Sequence, residues 1–169
     1  MVRFGVIGTN WITERFIQAA QETDYFSLTA VYSRTEEKGA EFAAKYDHPT
    51  VFTGLTEMLQ ADLIDAVYIA SPNSFHAEQA ILCMKHGKHV LCEKPMASNS
   101  RELREMIAVA RENNVLLMEA LKSTLMPNFT IIQENLFKIG QVRRYFASYC
   151  QYSSRYDPLG KSVPDEVRR

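Results

Sequence analysis

Short, nearly unbroken apolar runs alternate along this chain with segments whose apolar residues recur at helical spacing. Val2 to Ile7, Phe26 to Tyr32, Thr50 to Thr53, Asp65 to Ala70, His89 to Cys92 and Val115 to Met118 read as strands. Between them, Trp11 to Glu22, a stretch capped by Thr35 with Phe42 and Ala43 on its inner face, Gly54 to Ala61, Ser74 to His86, and Asn99 or Ser100 to about Asn113 read as helices. Gly87 is placed to close the fourth helix in a left-handed conformation. The strands are apolar on both faces, as strands covered on both sides must be. Strand–helix alternation of this kind predicts an α/β fold, a doubly wound parallel sheet with helices on each face.

The pattern changes after Gly140. Pro127 to Phe137 reads as one more helix, and Gln141 to Tyr152 then alternates with period two, Val142, Phe146 and Cys150 opposing Tyr145 and Tyr149. That segment reads as a long strand of a different sheet, the start of a truncated second α+β domain. The expected division is 1–123 for the parallel-sheet domain and 124–169 for the beginning of the second. An unpaired strand is an association hazard, so a homo-oligomer through 141–152 is the expected outcome if nothing else covers it. Ser153 to Arg169 is short, polar and carries two prolines, and is expected to be poorly ordered.

Composition narrows the class. A hydrophobic content of 46% in 169 residues is enough for a core, and a net charge of −1 at pH 7 offers no basic excess for nucleic acid or an anionic membrane. No apolar run is long enough for a membrane span, and the N-terminal one is broken by Gly5, Gly8 and Asn10, so no secretory signal is read there. A cytoplasmic location is expected. Cys83, Cys92 and Cys150 form no metal-type spacing with one another or with histidine, and no metal site is expected; Cys83 and Cys92 read as buried, reduced thiols. His48, His86 and His89 are assigned structural or solvent roles. Leu116 to Met118, with Leu125 and Met126, read as core.

The candidate chemistry lies at the carboxyl ends of the predicted strands, where open α/β sheets bind ligands. Gly8-Thr9-Asn10-Trp11-Ile12-Thr13 follows the first strand. It matches a glycine turn that rests a diphosphate on free N–H groups, with Asn10 and Thr13 replacing the second and third glycines. Ser33 and Arg34 end the second strand where an acidic residue would grip ribose hydroxyls. A hydroxyl and a guanidinium, with Lys38 one turn on, suit a 2′-phosphate instead, and place NADP ahead of NAD. Ser71, Pro72 and Asn73 follow the fourth strand, with His76 in the next helix's first turn, as a ribose-facing edge. Glu93-Lys94-Pro95 follows the fifth. A lysine there suits proton relay while hydride leaves a carbinol carbon, with Pro95 fixing its direction, through a cis bond if need be.

Taken in order, GTNWIT at 8–13, YSR at 32–34, SPNSFH at 71–76, CEKP at 92–95, MEA at 118–120 and Pro127 resemble the Gfo/Idh/MocA oxidoreductases, named for glucose-fructose oxidoreductase and inositol dehydrogenase. The row HVLCEKPMASNSREL with LLMEAL resembles the dihydrodiol dehydrogenase-like branch. The resemblance implies a Rossmann domain holding NADP or NAD, followed by an open-sheet domain that builds the substrate pocket and often the dimer interface. It implies that Lys94 works beside the nicotinamide, that Glu93 and Pro95 are its neighbours, that Asn73 and His76 take cofactor-crevice positions, and that Ser33 and Arg34 meet the adenosine-phosphate end. The expected substrate is a sugar, cyclitol or diol CH–OH. Lys122-Ser123-Thr124 stands where the family often carries an aromatic and an arginine, and the family's downstream Asp and His have no counterpart here. The chain is therefore expected to bind cofactor and turn over poorly. The alternatives are a non-catalytic dinucleotide-binding regulator and a non-functional truncated product.

Overall fold

The computed structural model describes residues 1–150. Six strands form a single parallel sheet: β1 (Val2–Ile7), β2 (Phe26–Tyr32), β3 (Thr50–Phe52), β4 (Ala66–Ile69), β5 (His89–Cys92) and β6 (Leu117–Glu119), in the order β3-β2-β1-β4-β5-β6. This is the doubly wound Rossmann arrangement, with its topological switch between β1 and β4. The helices are α1 (Trp11–Gln21), α2 (Glu36–Ala43), α3 (Leu55–Gln60), α4 (His76–Lys85), α5 (Ser100–Glu112) and α6 (Pro127–Asn135).

Side-chain alternation along β4 divides the core in two. Val67 and Ile69 join Met58, Ala80, Met84 and Met106 of α3, α4 and α5; Tyr68 and Ala70 join Ile17 and Phe42 of α1 and α2. Both faces are thus buried, which is why the strands read as continuous apolar runs. Cys83 and Cys92 lie in this interior, where burial pushes each thiol up to about 12, so neither supplies a thiolate at neutral pH.

The end of the sheet away from the candidate residues is pinned by Arg3 and Asp65. The Arg3 backbone N–H and Nε donate to Asp65 Oδ2 at 2.9 and 3.2 Å, and Nη2 donates to Oδ1 at 2.6 Å. These bonds hold the Asp65 carboxyl down at about 2, against 3.8 ordinarily. A folded-state value below the unfolded one means the contribution is complete above 3.8 and drains away as pH falls through about 2. In Asp65→Asn that part of the acid limb should vanish; denaturant midpoints followed against pH check this, and superimposable curves would rule the pairing out as its source.

Three expectations are corrected. The sixth strand begins at Leu117, not Val115, because Asn114 (φ 53°) turns left-handed and the Val115 N–H bonds back to Ala110 O at 3.0 Å, making Val115 part of the helix end. Leu116 and Met118 are not core: β6 is an edge strand, and they are 65% and 56% exposed. No strand occurs over 141–150, since the alternating segment pairs with no ladder among the described residues; residues 151 and 152, and the order expected of 153–169, lie outside them.

The described residues divide into two compact units, the first Met1–Ser123 and the second beginning at Thr124. Within the second, α6 begins at Pro127, whose missing N–H costs nothing at a first helical position, and is followed by a 3-10 turn at Leu136–Ile139.

Candidate functional site

The structure brings the four sequence motifs to the carboxyl ends of four consecutive strands, β2, β1, β4 and β5. Gly8 sits at φ 105° directly after β1, and a Cβ there would lie 2.6 Å from the Ala70 carbonyl oxygen after β4. Only glycine permits both the backbone angle and this approach. The neighbouring Asn10 Nδ2 donates to the same oxygen at 2.6 Å, tying the turn to β4.

Asn10 also caps α1. Its Oδ1 accepts from the Ile12 and Thr13 N–H groups at 2.9 and 3.3 Å, while Glu14 N–H bonds Asn10 O at 3.2 Å. The amide of Ile12, expected to face a diphosphate, is therefore already taken. Those of Asn10 and Trp11 have no hydrogen-bond partner among the described residues. Thr13, at the third-glycine position, is fully buried with its hydroxyl unpartnered. Exposed Trp11 carries Arg15 over its ring at 5.4 Å.

At the end of β2, Ser33 is buried and its N–H bonds Phe52 O at 3.0 Å, whereas Arg34 and Lys38 are exposed. Two solvated cations thus flank an ordered strand end that lacks any carboxylate at Tyr32-Ser33-Arg34.

After β4, Ser71 is used internally: its hydroxyl donates to Gln79 Oε1 at 2.6 Å. Phe75 N–H bonds Pro72 O at 2.9 Å, so Asn73–Phe75 forms a 3-10 turn and α4 starts at His76 rather than Ser74. Asn73 is exposed at the turn's head. His76 is buried, at 1% exposure. Its Nδ1 lies 2.9 Å from Pro95 O and its Nε2 2.8 Å from Ser71 O.

After β5, the Lys94–Pro95 bond is cis. Glu93 Oε1 accepts from the Tyr68 hydroxyl at 2.7 Å and Oε2 from the Lys94 N–H at 3.2 Å. Burial, then the Glu93 carboxylate, push the Tyr68 phenol far up, so it stays a donor. The Lys94 amine is exposed and has no hydrogen-bond or ion-pair partner among the described residues. Glu119 Oε1, from β6, accepts the Met96 N–H at 3.2 Å. Sequence reasoning missed Tyr68 and Gln79, and held Glu119 only as part of the MEA row without its contact to Met96. A tyrosine inside an otherwise aliphatic strand was the one available signal, because a buried phenol needs a partner.

Residues 2–121 match the family model described as the oxidoreductase family with an NAD-binding Rossmann fold, GFO_IDH_MocA. The chain belongs to this family. It is 60% identical over 157 residues to scyllo-inositol 2-dehydrogenase (NADP(+)) IolU of Bacillus subtilis (strain 168), covering 93% of this chain and 48% of that protein. It is 34% identical over 145 residues to trans-1,2-dihydrobenzene-1,2-diol dehydrogenase of Xenopus laevis, covering 83% and 44%. The crystal structure of KijD10, a 3-ketoreductase from Actinomadura kijaniata in complex with NADP and TDP-benzene, superposes with a TM-score of 0.76 at 31% identity, covering 81% and 42%. The chain spans about half the length of the curated relatives it matches. Family membership makes it an NAD(P)-binding Rossmann domain of an oxidoreductase, and no helix among the described residues is long and apolar enough to cross a membrane.

The residues present fit a dinucleotide. The glycine turn is closed against β4, two loop amides are unpartnered, and two cations stand at the β2 end.

Proposed function

We propose that this chain binds NADP(H) in preference to NAD(H), within an oxidoreductase acting on a CH–OH group of a sugar, cyclitol or diol. The observation that carries the reading is the meeting of the Gly8 turn, the Arg34 end of β2, the Asn73 turn and the Lys94 corner at one rim of the sheet. The names of relatives that carry NADP(+) or act on cyclitols and diols support it.

The dinucleotide supplies the hydride acceptor or donor when bound. The chain's own residues do the rest. The Asn10 and Trp11 amides at the α1 N-terminus meet the diphosphate, Thr9 and the Ile12 backbone line the turn, and Arg34 with Lys38 and Ser33 hold the 2′-phosphate. Ser71, Pro72 and Asn73 border the ribose. Lys94 holds or moves a proton at the substrate oxygen. All of these residues lie within the unit Met1–Ser123.

The test is a fluorescence titration of the full chain with NADPH and NADH, alongside NADP(+) by competition. Wild type is expected to bind NADPH more tightly than NADH. Lys94→Ala should leave the melting temperature unchanged, since its side chain is exposed and unpartnered. It should favour NADP(+) over NADPH by about fivefold relative to wild type, because an ammonium beside a cationic ring is repelled. Failure of wild type to bind either reduced cofactor would overturn the proposal.

A further inference from the structure

The corner Glu93-Lys94-Pro95 is held from both faces of the sheet. On one face Tyr68, buried with Ile17 and Phe42, stacks on Phe16 at 3.9 Å between ring centroids and 12° between planes. Its hydroxyl grips Glu93 at 2.7 Å. On the other face His76 opens α4, whose Ala77, Ala80 and Met84 belong to the opposite core cluster. Its ring bridges Pro95 O and Ser71 O. Lys94 lies between the two gripped residues and is itself engaged only through its backbone.

We propose that Tyr68 and His76 are positioning residues: together they fix the Glu93–Pro95 corner, and through it the direction of Lys94, against the Ser71 turn. This rests on the reading of Lys94 given above for its purpose, but not for its existence. The burial of both residues is what makes the device stiff. An imidazole at 1% exposure lies with one ring nitrogen at each of two carbonyls, and whichever nitrogen carries the proton donates to its carbonyl. A phenol 3% exposed and stacked on Phe16 has little rotational freedom, so its bond to Glu93 sets where that carboxylate sits. Phe16 lies on α1, the helix that carries the Gly8 turn at its N-terminus, and Ser71 directly follows Ala70, which Asn10 binds. The corner is therefore referenced to the cofactor loop by two separate routes, one through each face.

The experiment compares the full-length chain with Tyr68→Phe, His76→Leu and His76→Asn by amide hydrogen exchange without cofactor. Tyr68→Phe keeps the ring stack and deletes one hydroxyl. His76→Asn places an amide nitrogen near the Nδ1 position and should restore the bond to Pro95. We expect the Lys94 and Met96 amides to exchange about tenfold faster in Tyr68→Phe and His76→Leu, amides of β1 and β4 to keep their protection, and His76→Asn to recover most of it at Met96. Equal exchange at the corner in all four proteins overturns the proposal, and so does loosening spread evenly over the sheet, which would make both residues ordinary core. A parallel NADPH titration separates the two ideas: no binding by wild type defeats the cofactor reading, while the exchange pattern still decides the clamp.

Discussion

Gly8→Ala is expected to abolish measurable dinucleotide binding and to destabilise the fold by about 3 kcal/mol. Two costs combine. The backbone at φ 105° is one that a residue with a Cβ rarely adopts, and the new methyl would sit 2.6 Å from the Ala70 carbonyl oxygen and 2.9 Å from its carbon. That neighbour is backbone, so it cannot swing aside as a side chain would. Moving it would also break the Asn10 Nδ2 bond to the same oxygen, and with it the shape of the turn that leaves the Asn10 and Trp11 amides free. Gly87 is the control. It too has positive φ, 71°, but a Cβ there meets nothing within 4 Å, so Gly87→Ala should cost only the backbone share, about 1 kcal/mol. Urea midpoints for the two variants separate clash from conformation. Equal losses would show that the contact with Ala70 relaxes freely and that the turn is not built around it.

Arg34→Ala should lower NADPH affinity by about thirtyfold, the weight of a charge-assisted hydrogen bond, and change NADH affinity by less than about twofold. The side chain is exposed, and exposed Lys38, in the first turn of α2, is a second cation nearby in sequence. Stability should hold, because nothing in the fold leans on the guanidinium. Lys38→Ala should act in the same sense but more weakly, being a point charge without the planar fork. Parallel titrations with both cofactors and both variants decide this. An equal drop for NADH and NADPH would mean that Arg34 meets a part common to the two cofactors, and the NADP preference would lose its residue.

Much of the architecture could be read directly from particular segments. Val2–Ile7, Phe26–Tyr32 and His89–Cys92 are short apolar runs covered on both faces, and they became strands at the residues the pattern marks. Asn99, one of the two residues at which the fifth helix was expected to start, caps α5. The ordered motifs led to the right family, since each is a local device that a strand end needs. Where reading failed, the hydrogen-bond partner a segment finds, or lacks, made the difference. Val115 looked like a strand residue until the left-handed Asn114 bent its N–H back to Ala110. The segment 141–150 has a strand's alternation, but pairing is a property of two segments, and among the described residues it has no second.

His76 shows the same division within the site. The motif SPNSFH brings a histidine to the crevice in sequence, yet a 3-10 turn begun at Pro72 starts α4 with that ring facing inward, between Ser71 and Pro95. The sequence by itself determined which residues gather at the sheet's carboxyl rim, because strand order and motif order are carried by local hydrophobic periodicity and turn chemistry. Only the tertiary structure decided which of them stand exposed at that rim and which are buried against one another. Tyr68 and Glu93, or His76 and Pro95, are 25 and 19 residues apart along the chain, and hydrogen bonds of that kind exist only once the strands that carry them lie side by side.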